Sequence, residues 1–199
     1  MFYGDFNALN TQVVGKVTAT SDDDYMGFAL GFNPNDTTNA SANYLLVDWK
    51  RSNQFVNFGI DSCGPGTTAL PGLAVSRVTG IPTSEELWGH TDQNVSCSAS
   101  GQGLTELARA TNLGSAGWEV GREYTFAFEF NGTSLKVFVD GVLEIDISGS
   151  FSGGRLAFYA FAQVTLTFSE FQVVELDTTP PAIVPHSDRH SGEQWLARF

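Results

Sequence analysis

The sequence predicts an all-β domain, an antiparallel β-sandwich. Three observations carry that expectation. Apolar residues alternate with small or polar ones, most clearly in Tyr25–Phe32 and Tyr124–Phe130, and a period of two marks a strand with one well-buried face. Turn pairs such as Asn131-Gly132 and Asp140-Gly141 separate the runs. The composition holds 16 Phe and 21 Gly but only 10 Lys and Arg, which favours packed sheets over helices.

Met1 to Asn10 shows no clear period, and Val13 to Ala19 reads as a short strand. In Tyr25–Phe32 the residues Met26, Phe28, Leu30 and Phe32 share one face. Asn33 to Ser41 is all turn chemistry, and Asn43 to Arg51 returns as a second strand. Antiparallel pairing then sets Phe32 near Ala42, Asp24 near Lys50 and Asp23 near Arg51. Gln54 to Ile60 alternates as a strand, Asp61 to Gly72 reads as loop, and Leu73 to Val78 as a strand. Gly80 to Gly103 has no strand period, and Thr83-Ser84-Glu85-Glu86 within it is fit to cap one helical turn. Tyr124–Phe130, Leu135–Val139 and Leu143–Ile147 follow as hairpin-linked strands. Arg155 to Ala162 and Val164 to Leu176 are the last two, with a parity slip at Ser169-Glu170 that predicts a bulge. Residues 1–176 thus form the domain. From Asp177 to Phe199 the composition turns polar and Pro-rich, as in a linker or tail.

The formal net charge is −12. Nucleic acid is therefore an unexpected partner, because phosphate binding needs clustered Lys and Arg. No apolar run is long enough to cross a bilayer, so membrane insertion is not expected either. No signal peptide is seen, which leaves a cytosolic chain or a piece of a longer secreted one. Cys63 and Cys97 both lie in polar, Gly/Ser-rich loops and favour the second, as a disulfide. That bridge would close a loop of about 35 residues, worth ~3–4 kcal/mol in the chain-entropy account. Asn-x-Ser/Thr sequons at Asn35, Asn39, Asn94 and Asn131 point the same way.

Asp22, Asp23 and Asp24 run directly into the Tyr25 strand. Adjacent carboxylates on a bent loop supply several of the six to eight hard oxygens that Ca²⁺ takes. Equally, Lys50 and Arg51 across the hairpin can neutralise them, or the turn can simply be solvated. Trp88, His90 and Asp92 cluster in the irregular region, where they can line a ligand-binding cleft or serve as ordinary loop and core groups. Trp118, beside Glu119, is a second candidate ring for stacking on a sugar, or a core residue, since it directly precedes a strand. Glu144-Ile145-Asp146 resembles part of the Glu-x-Asp-x-x-Glu strand of some sandwich glycosidases, but Gly149 stands at the last position. A paired-carboxylate mechanism then lacks its second member.

Taken together and in order, several motifs resemble the thrombospondin C-terminal domain family. These are Asp22-Asp23-Asp24-Tyr25-x-Gly27-Phe28-x-x-Gly31-Phe32, then Tyr44 to Lys50, Pro71-Gly72-Leu73, Leu87-Trp88-x-His90-Thr91, Gly117-Trp118 and Gly153-Gly154-Arg155-Leu156. The similarity spans about residues 13 to 176. It implies a concanavalin or lectin-like jelly-roll sandwich that is extracellular, calcium-binding and adhesive. The aspartate repeats that precede the domain in thrombospondins are absent, and the Cys63/Cys97 pair is not part of that pattern. The expectation is a non-catalytic extracellular recognition module for a matrix or cell-surface protein or a glycan. A carbohydrate-active enzyme on the same fold and a structural spacer are the alternatives.

Overall fold

The computed structural model describes residues 1–58, 66–90 and 103–176. Among them thirteen strands run in order: β1 (Phe2–Asn7), β2 (Thr11–Ala19), β3 (Tyr25–Phe32), β4 (Asn43–Lys50), β5 (Gln54–Val56), β6 (Thr67–Ala69), β7 (Gly72–Thr79), β8 (Leu104–Arg109), β9 (Glu123–Phe130), β10 (Ser134–Val139), β11 (Val142–Ser148), β12 (Arg155–Phe161) and β13 (Leu166–Glu175). Among the described residues a single α-helix, α1 (Ser84–Gly89), sits between β7 and β8. The strands form a six-stranded sheet ordered β1-β12-β3-β4-β7-β8 and a five-stranded sheet ordered β11-β10-β9-β2-β13. Strands β5 and β6 make a separate two-stranded ribbon. All pairings are antiparallel.

The two large sheets face each other across an aromatic core. Phe28 of β3 is its hub, with ring centroids 4.9–6.2 Å from Phe126, Phe128, Phe158, Phe168 and Phe171. Met26 and Leu30 flank it on the same face of β3, and Val13, Val17, Leu135 and Val137 complete the layer from the other sheet. Burying rings of this size is the largest apolar contribution a domain can make per residue. Asp140 and Gly141 both have positive φ, 50° and 80°, as the two-residue β10–β11 hairpin demands.

Four expectations change. Phe32 leaves the face of Met26, Phe28 and Leu30 and joins Tyr25 and Ala29 on the other. The cause is a bulge: Leu156 pairs with Leu30 but Arg155 pairs with Phe32, which skips Gly31 at φ 77°. The β3–β4 register is one residue away from the expected one, with Met26 opposite Trp49 and Leu30 opposite Leu45. The expected Asp61–Gly72 loop contains β6, and the expected Gln54–Ile60 strand is described only as Gln54–Val56. Residues 2–7 and 104–109, unassigned from sequence, are edge strands of the six-stranded sheet. The predicted slip near Ser169 is present: Ser169 pairs with Lys16 and Gln172 with Val14, one residue out of step.

A third layer covers the outer face of the six-stranded sheet. Tyr25, Phe32, Tyr44, Leu46, Trp88, Leu104 and Tyr159 form a second buried cluster. Helix α1 contributes Trp88, and β6 contributes Ala69. Every residue of β3 is buried as a result.

Candidate functional site

The acidic turn before β3 is built around Lys50. Its side chain has no solvent exposure, and its ammonium donates to Asp24 Oδ1 at 2.8 Å, the Asp23 carbonyl at 2.7 Å and Gln54 Oε1 at 2.9 Å. Those three bonds use all of its donors, and the ammonium also lies 4.8 Å from the Trp88 ring centre. The Ser52 hydroxyl binds Asp23 Oδ2, Asp22 Oδ1 accepts from the Asp23 amide, and the Arg51 guanidinium donates to the Asp22 carbonyl. One oxygen from each of the three carboxylates can be chosen so that all lie within 4.8 Å of one another. Lys50 thus offsets part of the charge of the three carboxylates from within the chain. Ca²⁺ prefers six to eight oxygens; Asp22 and Asp23 offer carboxylate oxygens to which the Lys50 ammonium does not donate, although Ser52 holds one of them.

Trp88 and His90 are interior residues, at 2% and 1% exposure. Thr83 and Glu86 form the capping box that starts α1, with Thr83 Oγ1 accepting from the Glu86 amide and Glu86 accepting from the Thr83 amide. His90 ends the helix in the left-handed region at φ 56°. The turn aims its ring inward, stacked on Tyr25 at 4.9 Å. Trp88 donates its indole N–H to the Gln54 carbonyl, and Tyr25 donates its hydroxyl proton to the Trp88 carbonyl at 2.6 Å. Trp118 is likewise core, bonded through Nε1 to the Asp24 carbonyl. Neither indole presents a face to solvent for a sugar to stack on.

His90 lies between two carboxylates that sequence reasoning did not connect to it. Nε2 is 2.9 Å from Asp48 Oδ2 and Nδ1 is 3.5 Å from Glu106 Oε2. Glu106 Oε1 in turn accepts from Arg109 Nε at 3.0 Å. Burial pushes the His90 pKa down, but the charge and hydrogen bond of Asp48, joined by Glu106, overcome it and hold His90 at about 9. Burial drives Asp48 upward against the pull of His90. Glu106 ends below the usual range because His90 and Arg109 outweigh its burial. The one available signal was Asp48 itself: a carboxylate inside the apolar run Leu45–Trp49 must find a cation or a donor.

Glu144 is also explained by packing. It is the extra residue of a bulge, since Val137 pairs with Ile145 and Phe138 with Leu143. Buried, it accepts from the Asn112 amide at 2.9 Å, the Asn112 side chain at 3.2 Å and the Leu113 amide at 3.2 Å. Its neighbour Asp146 is exposed. Cys63, Cys97, Asp92 and Asn94 lie outside the described residues. Asn35 is exposed, and Asn39 and Asn131 spend side-chain oxygens on their own turns.

The open polar site lies at the far end of β3. Asp5, Asn7, Asn33, Gly153, Gly154 and Arg155 line a cavity of about 310 Å³. Two bulges create it. Tyr3 pairs with Ala157 but Asn7 pairs with Arg155, so β1 carries two surplus residues and both Asp5 and Asn7 come against Arg155. On the other side of Arg155 stands the Gly31 bulge. Gly154 packs so closely on the Gly31 backbone that any side chain there would collide. Arg155 donates to Asp5 Oδ1 at 3.0 Å and to the Gly4 carbonyl at 3.2 Å, with the guanidinium 5.2 Å from the Tyr3 ring centre. Asn7 Oδ1 accepts from the Leu9 and Gly154 amides, which leaves its NH₂ for the cavity. Asn33 spends its NH₂ on the Gly31 carbonyl and Asp36, which leaves its oxygen. Neither Asp5 nor Asn7 was singled out from sequence, because residues 1–10 show no period.

No protein-family model matches this chain, and no curated protein matches it. Among solved structures, the carbohydrate binding module CBM66 from Bacillus subtilis superimposes with a TM-score of 0.56 at 11% identity, over 86% of this chain and 78% of that one. A single mutant of congerin II superimposes with a TM-score of 0.51 at 7% identity, over 86% of this chain and 97% of that one. At such identities the likeness is one of fold, and the chain has the lectin-like sandwich fold that the thrombospondin resemblance implied.

Proposed function

We propose that this chain is a non-catalytic glycan-recognition module. The observation that carries the reading is the cavity around Arg155. It gathers a guanidinium, a carboxylate, an amide donor and an amide acceptor on a glycine-lined floor. Sugar hydroxyls both donate and accept, so a mixed set of planar groups suits them, and rigid strands hold these groups in place. The shared fold with a carbohydrate binding module adds support at the level of architecture alone. The structural bonds of Glu144 support a non-catalytic role, since both of its oxygens are held by the Asn112–Leu113 turn.

Calcium, adhesion and an extracellular setting belong to the same proposal. A Ca²⁺ ion would use the carboxylate oxygens of Asp22 and Asp23 to which the Lys50 ammonium does not donate. The exposed sequon at Asn35 suits a secreted chain. A glycan array probed with the whole chain, with and without chelator, tests the function: binding to a defined set of glycans is expected. A silent array combined with turnover of a polysaccharide would replace recognition by catalysis.

A further inference from the structure

Resting on the reading of this chain as a glycan binder, we infer that the Arg155 cavity selects neutral sugars, and that Asp5 is the residue that enforces the choice. Arg155 is not a free cation. Asp5 already holds one of its nitrogens at 3.0 Å, and the Gly4 carbonyl shares that nitrogen. The remaining guanidinium N–H groups have no protein partner among the described residues. The outer oxygen of Asp5 is free in the same sense, on a side chain that is fully exposed.

A pair of vicinal hydroxyls can bridge such a couple without breaking it. One hydroxyl donates to the Asp5 carboxylate while its neighbour accepts from Arg155. The Asn7 amide donor and the Asn33 amide acceptor then serve the next hydroxyls around the ring. The volume of about 310 Å³ is at the small end of ligand cavities and suits one or two sugar units. A sugar carboxylate fares worse. It can reach the open Nε–Nη2 edge of Arg155 in two-pronged fashion, but the charge it meets there is already offset by Asp5 on Nη1. It must also approach a second carboxylate on a chain of net charge −12. One carboxylate and one carbonyl-type acceptor are too few for a Ca²⁺ ion, so recognition here runs without metal.

The experiment is a glycan array followed by titration, using the whole chain. Neutral oligosaccharides of glucose, galactose and mannose are compared with glucuronic- and galacturonic-acid oligosaccharides. Wild type is expected to bind neutral probes, unchanged by chelator, with the Gly153 and Gly154 amide resonances shifting on titration. Arg155→Ala should weaken that binding about tenfold or more, the scale of a lost bond to a charged group. Arg155→Lys should recover part of it while keeping the thermal midpoint. Asp5→Ala is the telling variant: its freed guanidinium should gain acidic sugars. Asp5 is fully exposed, so this change leaves the fold intact. A wild type that binds acidic glycans, with no gain in Asp5→Ala, overturns the inference and leaves the glycan reading standing. So does neutral-sugar binding that survives Arg155→Ala and leaves Gly153 and Gly154 unshifted. A silent wild-type array sinks both.

Discussion

His90 Nε2 stands 2.9 Å from Asp48 Oδ2, with both side chains sealed inside the third layer. The folded His90 pKa is about 9 against an ordinary 6.5. Its contribution to stability is therefore complete below about pH 6.5 and is lost as pH rises through about 9. Urea midpoints should fall across that window in wild type and stay nearly flat in His90→Gln. A wild-type profile that is flat from neutral to alkaline pH would show that the pair carries no such linkage.

Lys50 makes a second prediction. Lys50→Met strands the Asp24 carboxylate and the Asp23 carbonyl inside the protein, at a cost of ~3–5 kcal/mol. Lys50→Met combined with Asp24→Leu should recover much of the loss, because replacing both partners of a buried pair by apolar groups is often neutral. Denaturant unfolding of the two variants reads the difference directly.

Calcium should act on stability and not on the sugar site. β3 has eight residues, and at ~3.4 Å per residue the acidic turn lies roughly 25 Å from Asn33. Ca²⁺ at about ten times its dissociation constant should stabilise the fold by ~1.4 kcal/mol. Asp22→Asn together with Asp23→Asn should abolish that shift. Calorimetry that registers no Ca²⁺ effect on wild type removes the ion from the account.

Glu144→Gln should behave as a purely structural mutation. The variant keeps one acceptor for the Asn112 and Leu113 amides and loses the charge, which costs ~1–3 kcal/mol. Polysaccharide turnover by wild type that vanishes in Glu144→Gln at unchanged melting temperature would contradict the structural role.

Gly31→Ala should be worse than its size suggests. The residue sits at φ 77°, and a β-carbon would lie 2.7 Å from the Ser152 carbonyl oxygen. A loss of ~1–3 kcal/mol is expected from the backbone conformation alone. Glycan affinity should drop with it, because this bulge sets the position of Arg155.

What the sequence made legible was whatever local pattern decides. Met26, Phe28 and Leu30 alternate and are buried together; Asp140-Gly141 turns as such pairs must; Thr83 and Glu86 cap a helix three residues apart. Phe32 escaped because a single surplus residue reverses a strand's parity, and Gly31 looked like one more small residue on the opposite face. β1 escaped because an edge strand on β12 keeps much of its surface in solvent and so leaves no clean period. The candidate sites were half visible. The aspartates, Lys50 and His90 stood out by type. Asp48, Glu106 and the Asp5–Arg155 couple depend on partners far along the chain, which only the closed sheets bring together.

β3 is walled in on every side, and that has a consequence for how the chain is made. Its neighbour β4 arrives soon after it, yet its other neighbour, β12, pairs Tyr25 with Phe161, and β2 must wait for β13 to set Thr11 against Glu175. A ribosome therefore releases the most apolar strand of the domain long before the strands that cover it exist. Pairings of such long sequence separation close slowly. Until the last strand is synthesised, Met26 to Phe32 must be shielded by a chaperone or risk joining the same segment of another chain.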